Sequence, residues 1–146
     1  MKGGWGVDLS SIYTELIAEY SRNSANKRKL VKFSHSLKGR NPSCGDEIEL
    51  ELLVEDGIIV DAAYTGQGCA ISQASTSIMI DLITGEKVEK ALHLAGLFQA
   101  MIKGEITDED ELEELDEALA LKNISTMPAR VKCAVLSWHT LEEAVK

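Results

Sequence analysis

Apolar and polar positions alternate most cleanly between Glu47 and Val54. There Ile48, Leu50, Leu52 and Val54 interleave with Glu47, Glu49, Glu51 and Leu53. A period of two gives one buried and one mostly wet face, so this stretch is expected to be a strand. Glu55-Asp56-Gly57 reads as a three-residue hairpin loop, with Gly57 taking the left-handed position. Ile58 to Thr65 is then the returning strand. Pairing Val54 with Ile58 sets Leu52 against Val60, Leu50 against Ala62 and Ile48 against Tyr64, all apolar. That register lays Asp46 opposite Gly66 and directs Cys44 toward Gly68 and Cys69. Leu30 to Leu37 is expected to add an edge strand.

Elsewhere the period is helical. Asp8 is a natural cap for a first helix, with Leu9, Ile12, Tyr13, Leu16, Ile17 and Tyr20 on one face, broken at Asn23-Ser24-Ala25-Asn26. After Cys69, the residues Ile71, Ala74, Ile78 and Leu82 form a stripe that Gly85 stops. Val88 to Leu92 predicts a short helix, and Leu94, Leu97, Phe98, Met101 and Ile102 a second, ended by Gly104. Thr107-Asp108-Glu109-Asp110 has the form of a capping box opening a helix over 108–121, with Leu112, Leu115 and Leu119 facing inward. Pro128 suits the first turn of a last helix carrying Val131, Val135, Trp138, Leu141 and Val145 inward. No repeat or linker interrupts the pattern, so residues 1–146 are expected to form a single domain.

Apolar residues make up 45% of the 146 and charged residues 27%, which is ordinary for a chain that buries a core. The net charge of −9 has one source: Glu105 to Glu117 holds nine acids and no base, and the remainder balances at 15 acids and 15 bases. No basic face offers itself to phosphates, so no nucleic-acid partner is expected. No apolar run reaches the length of a membrane span, and the first residues lack the apolar core of a signal peptide, which predicts a cytoplasmic protein without a membrane partner.

Three cysteines cannot close a disulfide framework, and in a reducing compartment they point to metal or sulfur chemistry. They lie in Asn41-Pro42-Ser43-Cys44-Gly45-Asp46, Gly66-Gln67-Gly68-Cys69-Ala70 and Pro128-Ala129-Arg130-Val131-Lys132-Cys133. Each segment sits at an element end. Cys69 opens a helix and Cys133 falls in or near the first turn of another, where positive potential favours thiolate. Gly66 and Gly68 let the backbone turn sharply and leave the sulfur approachable. Cys44 and Asp46, two apart, would face one side of a strand. Three thiolates and one carboxylate would complete a tetrahedral site for zinc or iron. Taken singly, each cysteine is equally well read as a small buried hydrophobe. Arg130 and Lys132 are accessory candidates that could steady a thiolate by charge. His35, His93 and His139 lack ligand spacing, with His35 the best placed, upstream of Cys44.

These three segments, in this order, resemble those of the NifU/IscU-like iron–sulfur cluster assembly family. The resemblance runs over nearly the whole chain: N-terminal helix, Asn-Pro-x-Cys-Gly-Asp motif, hairpin, Gly-x-Gly-Cys with a Ser-rich helix, and a C-terminal cysteine helix. It implies an α+β fold, a small antiparallel sheet of about three strands flanked by helices. It also implies Cys44, Asp46, Cys69 and Cys133 as ligands of a metal or cluster. The scaffold branch carries a His where this chain has Lys132, and its last two cysteines are closer than Cys69 and Cys133. Both features, with Ala129-Arg130-Val131-Lys132-Cys133-Ala134 and Ser137-Trp138, look like the SufU branch. One departure from the family is the stretch Glu19-Tyr20-Ser21-Arg22-Asn23-Ser24, where a His- and Pro-containing segment is usual.

The resemblance implies a zinc-bound protein that accepts persulfide sulfur at Cys44 from a SufS-type cysteine desulfurase and serves downstream iron–sulfur assembly proteins. Such a protein is a sulfurtransferase-like relay rather than a conventional enzyme. The alternative is a scaffold holding a transient iron–sulfur cluster on the same ligands. From another class comes a purely structural zinc module. A disulfide-exchange protein is disfavoured because no Cys-x-x-Cys occurs. The acidic helix is expected to be a solvated face or a docking surface for a basic partner.

Overall fold

The structure is a computed structural model that describes residues 15, 18–20, 25–41, 45–106, 108–126 and 128–145. Three antiparallel strands, β1 (His35–Asn41), β2 (Asp46–Glu55) and β3 (Ile58–Gln67), form a sheet in the order β1-β2-β3. Helices α1 (Ala70–Ile83), α2 (Val88–Ile102), α3 (Glu109–Leu112) and α4 (Pro128–Ala144) follow, with a 3₁₀ segment, Glu113–Thr126, leading into the last. This is the expected α+β arrangement. The inner sheet face is Ile48, Leu50, Leu52, Ala62 and Tyr64, all buried. Burial pushes the Tyr64 phenol above its usual pKa.

The β2–β3 hairpin is tighter than its sequence predicted. Its loop is two residues, Asp56 and Gly57, both at positive φ (53° and 77°), and Glu55 pairs directly with Ile58. Such a turn matches the right-handed twist of the strands. Val54 pairs with Ile59 and Leu53 with Asp61, so Val60 is the extra residue of a bulge and is 41% exposed. Beyond the bulge the strands have slid by two residues relative to the expected register: Leu52 meets Ala62, Leu50 meets Tyr64 and Ile48 meets Gly66. A two-residue slide preserves the faces, which is why apolar matching alone did not detect it.

The edge strand begins later than expected, at His35. Residues 25–34 instead run from the β3 edge across the outer sheet face. Tyr64 N–H donates to Asn26 O (3.0 Å), Leu30 N–H to Glu51 Oε1 (2.9 Å) and Ser34 N–H to Leu52 O (2.8 Å). Glu51, expected on the wet face, is thereby covered and only 4% exposed.

The two short helices predicted over 88–102 are one, because Ala91 continues the stripe formed by Leu94, Ala95, Phe98, Met101 and Ile102. The acidic segment departs most from expectation. Asp108 caps its start, accepting Asp110 N–H at 2.9 Å, and after one α-turn the chain is 3₁₀. Leu112, Leu115, Ala118, Leu121 and Ile124 are completely buried. They recur every three residues, the period at which 3₁₀ side chains eclipse, while Leu119 sits at the margin. Thr107 lies outside the described residues. On α4 the buried face is Cys133, Ala134, Leu136, Ser137, Trp138, Thr140 and Leu141, whereas the predicted Val131, Val135 and Val145 are only partly buried. Thr140 is satisfied there, its Oγ1 donating to Leu136 O at 2.7 Å, whereas Ser137 Oγ has no partner among the described residues. A Cβ on Gly39 would run into Thr140 Oγ1, so β1 and α4 cross there at a distance only glycine permits. The predicted N-terminal helix lies largely outside the described residues; 18–20 are helical, and Tyr20 OH donates to Asp81 Oδ2 at 3.3 Å.

Candidate metal centre

Asp46 opens β2, and the two-residue slide carries it past Gly66 to Gly68 and Cys69. Its Oδ1 accepts the Cys69 N–H at 2.8 Å, and its Oδ2 lies 4.0 Å from Cys69 Sγ. Cys69 is the N-cap of α1, its sulfur accepting the Ser72 N–H at 3.4 Å. Cys133 comes from α4 and is 2% exposed. It sits in the second turn rather than the first, so the helix end contributes less to its sulfur than expected. One oxygen of Asp46 and the sulfurs of Cys69 and Cys133 lie within 4.8 Å of one another.

The supports of this cluster are local and specific. A Cβ on Gly68 would come within 2.6 Å of Asp46 Oδ1, so glycine there makes room for the carboxylate. Gly66 has φ 131° and backs onto the Glu47 carbonyl, where a Cβ could not fit. Gln73 Nε2 donates to Gly68 O at 3.0 Å and ties the turn to α1. Helices α1 and α4 are locked by Ser75, whose hydroxyl donates to Ala134 O (2.6 Å) and accepts the Trp138 indole N–H (3.0 Å). Trp138 also stacks on Phe98 at 4.3 Å. In the sequence Ser75 stands out only as one member of the Ser-rich helix after Cys69. The signal that could have found it is the buried indole, which must find an acceptor.

Asp46 is completely buried, yet among the described residues no Lys, Arg or His pairs with it; the hydrogen bonds it accepts come from the Cys69 N–H and, at 4.0 Å, the Cys69 thiol. A buried carboxylate beside two sulfurs calls for a cation. The donor set, two soft sulfurs and one oxygen, matches zinc or an iron–sulfur centre rather than calcium or magnesium. Cys44, with Pro42 and Ser43, lies outside the described residues; in the sequence it falls between Asn41 and Asp46, which pair across β1 and β2.

The accessory candidates do not join the cluster. Arg130 and Lys132 are exposed, and Lys132 lines a cleft between α4 and the end of β1. The histidines are elsewhere: His35 at Ser34 Oγ (2.8 Å), His93 at Glu114 (2.7 Å) and His139 at Glu142 (3.7 Å). No helix among the described residues is long and apolar enough to cross a membrane.

Comparison with known proteins agrees with this fold. The NifU-like N terminal domain family matches residues 12–146. The chain is 43% identical over 135 residues to the iron–sulfur cluster assembly scaffold protein IscU of Thermotoga maritima, covering 92% of this chain and 93% of that one. It is 37% identical over 141 residues to the zinc-dependent sulfurtransferase SufU of Bacillus subtilis, covering 97% and 94%. A crystal structure of a candidate iron–sulfur cluster assembly scaffold protein for the SUF system of Fervidobacterium islandicum superposes with a TM-score of 0.86 at 38% identity, covering 92% and 97%. The chain therefore belongs to the NifU/IscU-like family of iron–sulfur cluster assembly proteins, on its SufU branch.

Proposed function

We propose that the protein is a zinc-bound sulfur acceptor of iron–sulfur cluster assembly, working in the cytoplasm with a SufS-type cysteine desulfurase and serving downstream assembly proteins. The observation that carries this is the buried Asp46 carboxylate, converging with Cys69 and Cys133 and without a basic partner among the described residues. Cys44, Asp46, Cys69 and Cys133 would hold the metal. Bound zinc would keep the thiolates deprotonated and shielded from oxidation.

The chain's own residues then divide the work. Asp46, anchored by the Cys69 N–H, is the hard and exchangeable member of the set. Cys69 and Cys133 are fixed by α1 and α4. Cys44 is the acceptor: its thiolate attacks the outer sulfur of the donor's persulfide. The donor's S–S bond breaks, its cysteine leaves as thiolate, and Cys44 ends as a persulfide with no net redox change.

A second reading, the cluster scaffold, is favoured by the names of the Thermotoga and Fervidobacterium relatives. Lys132 weighs against it, since a protonated lysine coordinates no metal where the scaffold branch offers imidazole. The test is desulfurase stimulation and persulfide mass mapping on the zinc-loaded protein and on Cys44→Ala. A relay loses sulfur uptake while its fold survives. A structural zinc module loses fold instead, and a scaffold takes up iron and sulfide but fails as acceptor with zinc.

A further inference from the structure

The end of β1 and the middle of α4 form an open cleft of about 210 Å³ lined by Arg40, Asn41, Lys132, Val135, Leu136 and His139. Its chemistry is lopsided. Three cationic or potentially cationic side chains stand beside an apolar wall, and no acid lines it among the described residues. Two of the three are balanced from outside. Arg40 binds Glu47 through Nε (3.1 Å) and Nη2 (2.7 Å), which holds the Glu47 carboxyl below its usual pKa, and His139 lies 3.7 Å from Glu142. Lys132 has no ion-pair partner among the described residues, leaving one uncompensated positive charge. Asn41 is 6% exposed; its Nδ2 has no acceptor among the described residues and is sealed from solvent, so it backs the cleft rather than offering a contact.

One net charge beside an apolar wall from Val135 and Leu136 matches a carboxylate on a short aliphatic stem. The volume falls below the roughly 300 Å³ at which small-molecule and cofactor sites begin. The position supplies the context. Lys132 adjoins Cys133, and Asn41 pairs with Asp46, so whatever occupies the cleft stands beside the metal centre.

We propose that this cleft seats an aspartate or glutamate side chain of the sulfur-donating partner, with Lys132 as its counter-ion and Val135 and Leu136 against its aliphatic stem. The inference rests on the sulfur-acceptor reading and gives it a docking point. The charge pair would set approach and orientation, bringing the donor's sulfur to the metal side of α4.

The test measures binding of the zinc-loaded protein to a SufS-type cysteine desulfurase, with zinc content and circular dichroism of each variant as controls. Lys132→Glu is expected to weaken binding about tenfold or more, and Lys132→Ala by a few-fold, with added salt weakening the parent but not Lys132→Ala. His139→Glu, six residues from Cys133, probes the cleft without adjoining a ligand and should also weaken binding. Lys103→Glu, the same reversal at the end of α2, should not. In the desulfurase, one Asp or Glu changed to Lys should restore binding to Lys132→Glu. If the parent binds and Lys132→Glu and His139→Glu bind equally well, the cleft is not the docking point while the sulfur-acceptor reading stands. If the parent itself neither binds nor stimulates the desulfurase, that reading fails and the docking proposal falls with it.

Discussion

Gly68→Ala places a single methyl group where the Asp46 carboxylate sits. The added Cβ would lie 2.6 Å from Oδ1, 3.1 Å from Cγ and 3.3 Å from Cβ of Asp46. Asp46 cannot yield easily: it is fully buried, its backbone is paired in β2, and its Oδ1 is held by the Cys69 N–H at 2.8 Å. Overpacking of this kind costs about 1–3 kcal/mol, and losing a hydrogen bond to a charged acceptor costs about 1.5–3 kcal/mol. Because one displacement causes both, the expected loss is about 2–4 kcal/mol rather than their sum. For a chain of this length that lowers the melting temperature by roughly 5–15 °C. Zinc affinity should fall about 10- to 100-fold, as when other groups that orient a ligand are disturbed. The assay is thermal unfolding with and without zinc, together with chelator competition. The control is Gly57→Ala, at φ 77° with open space around it; it should cost about 1–2 kcal/mol of backbone strain and leave zinc affinity alone. Equal zinc affinity in Gly68→Ala and the parent, or equal loss in both variants, would refute the reasoning.

Asp46→Asn should leave the metal-free protein at least as stable as the parent, because it removes a buried charge without a basic partner, yet bind zinc at least about tenfold more weakly, as chelator competition would report. In the 3₁₀ segment, Leu115→Ala should cost about 2–5 kcal/mol in urea unfolding and Leu119→Ala distinctly less, whereas an α-helical segment would make them similar. The Glu114 carboxyl is held below its usual pKa of 4.5 by hydrogen bonds from Lys90 and His93. Its stabilising contribution is therefore present above that value and lost as pH falls through the lowered one, so Glu114→Gln should differ from the parent at neutral pH and converge with it in acid.

The sheet was legible because one face is buried: Ile48, Leu50 and Leu52 announce it at period two. Its register was not, since the two-residue turn and the bulge at Val60 each slide the strands by one, two in all, and leave the faces intact. That slide decides where Asp46 lands, opposite Gly68 rather than Gly66. The role of Gly68 depends on that placement and was likewise read only as backbone freedom. The 3₁₀ segment was hidden because Leu112, Leu115 and Leu119 suit a helical stripe well. Only with Ala118, Leu121 and Ile124 does the period of three emerge. Asp46, Cys69 and Cys133 were legible as candidates from residue type and position at element ends, and the structure brings them together. The cleft at Lys132 could not be read from the sequence, because it arises where β1 passes beneath α4 at Gly39, a contact between residues about a hundred positions apart.

The central claim is that Cys44, Asp46, Cys69 and Cys133 hold a zinc ion in a sulfur acceptor. The most direct test is anaerobic purification followed by quantification of zinc, iron and acid-labile sulfide per chain, with the visible spectrum. The account predicts a colourless protein with one zinc per chain and no sulfide. A brown protein with stoichiometric iron and sulfide, inactive as a sulfur acceptor once loaded with zinc, would contradict it.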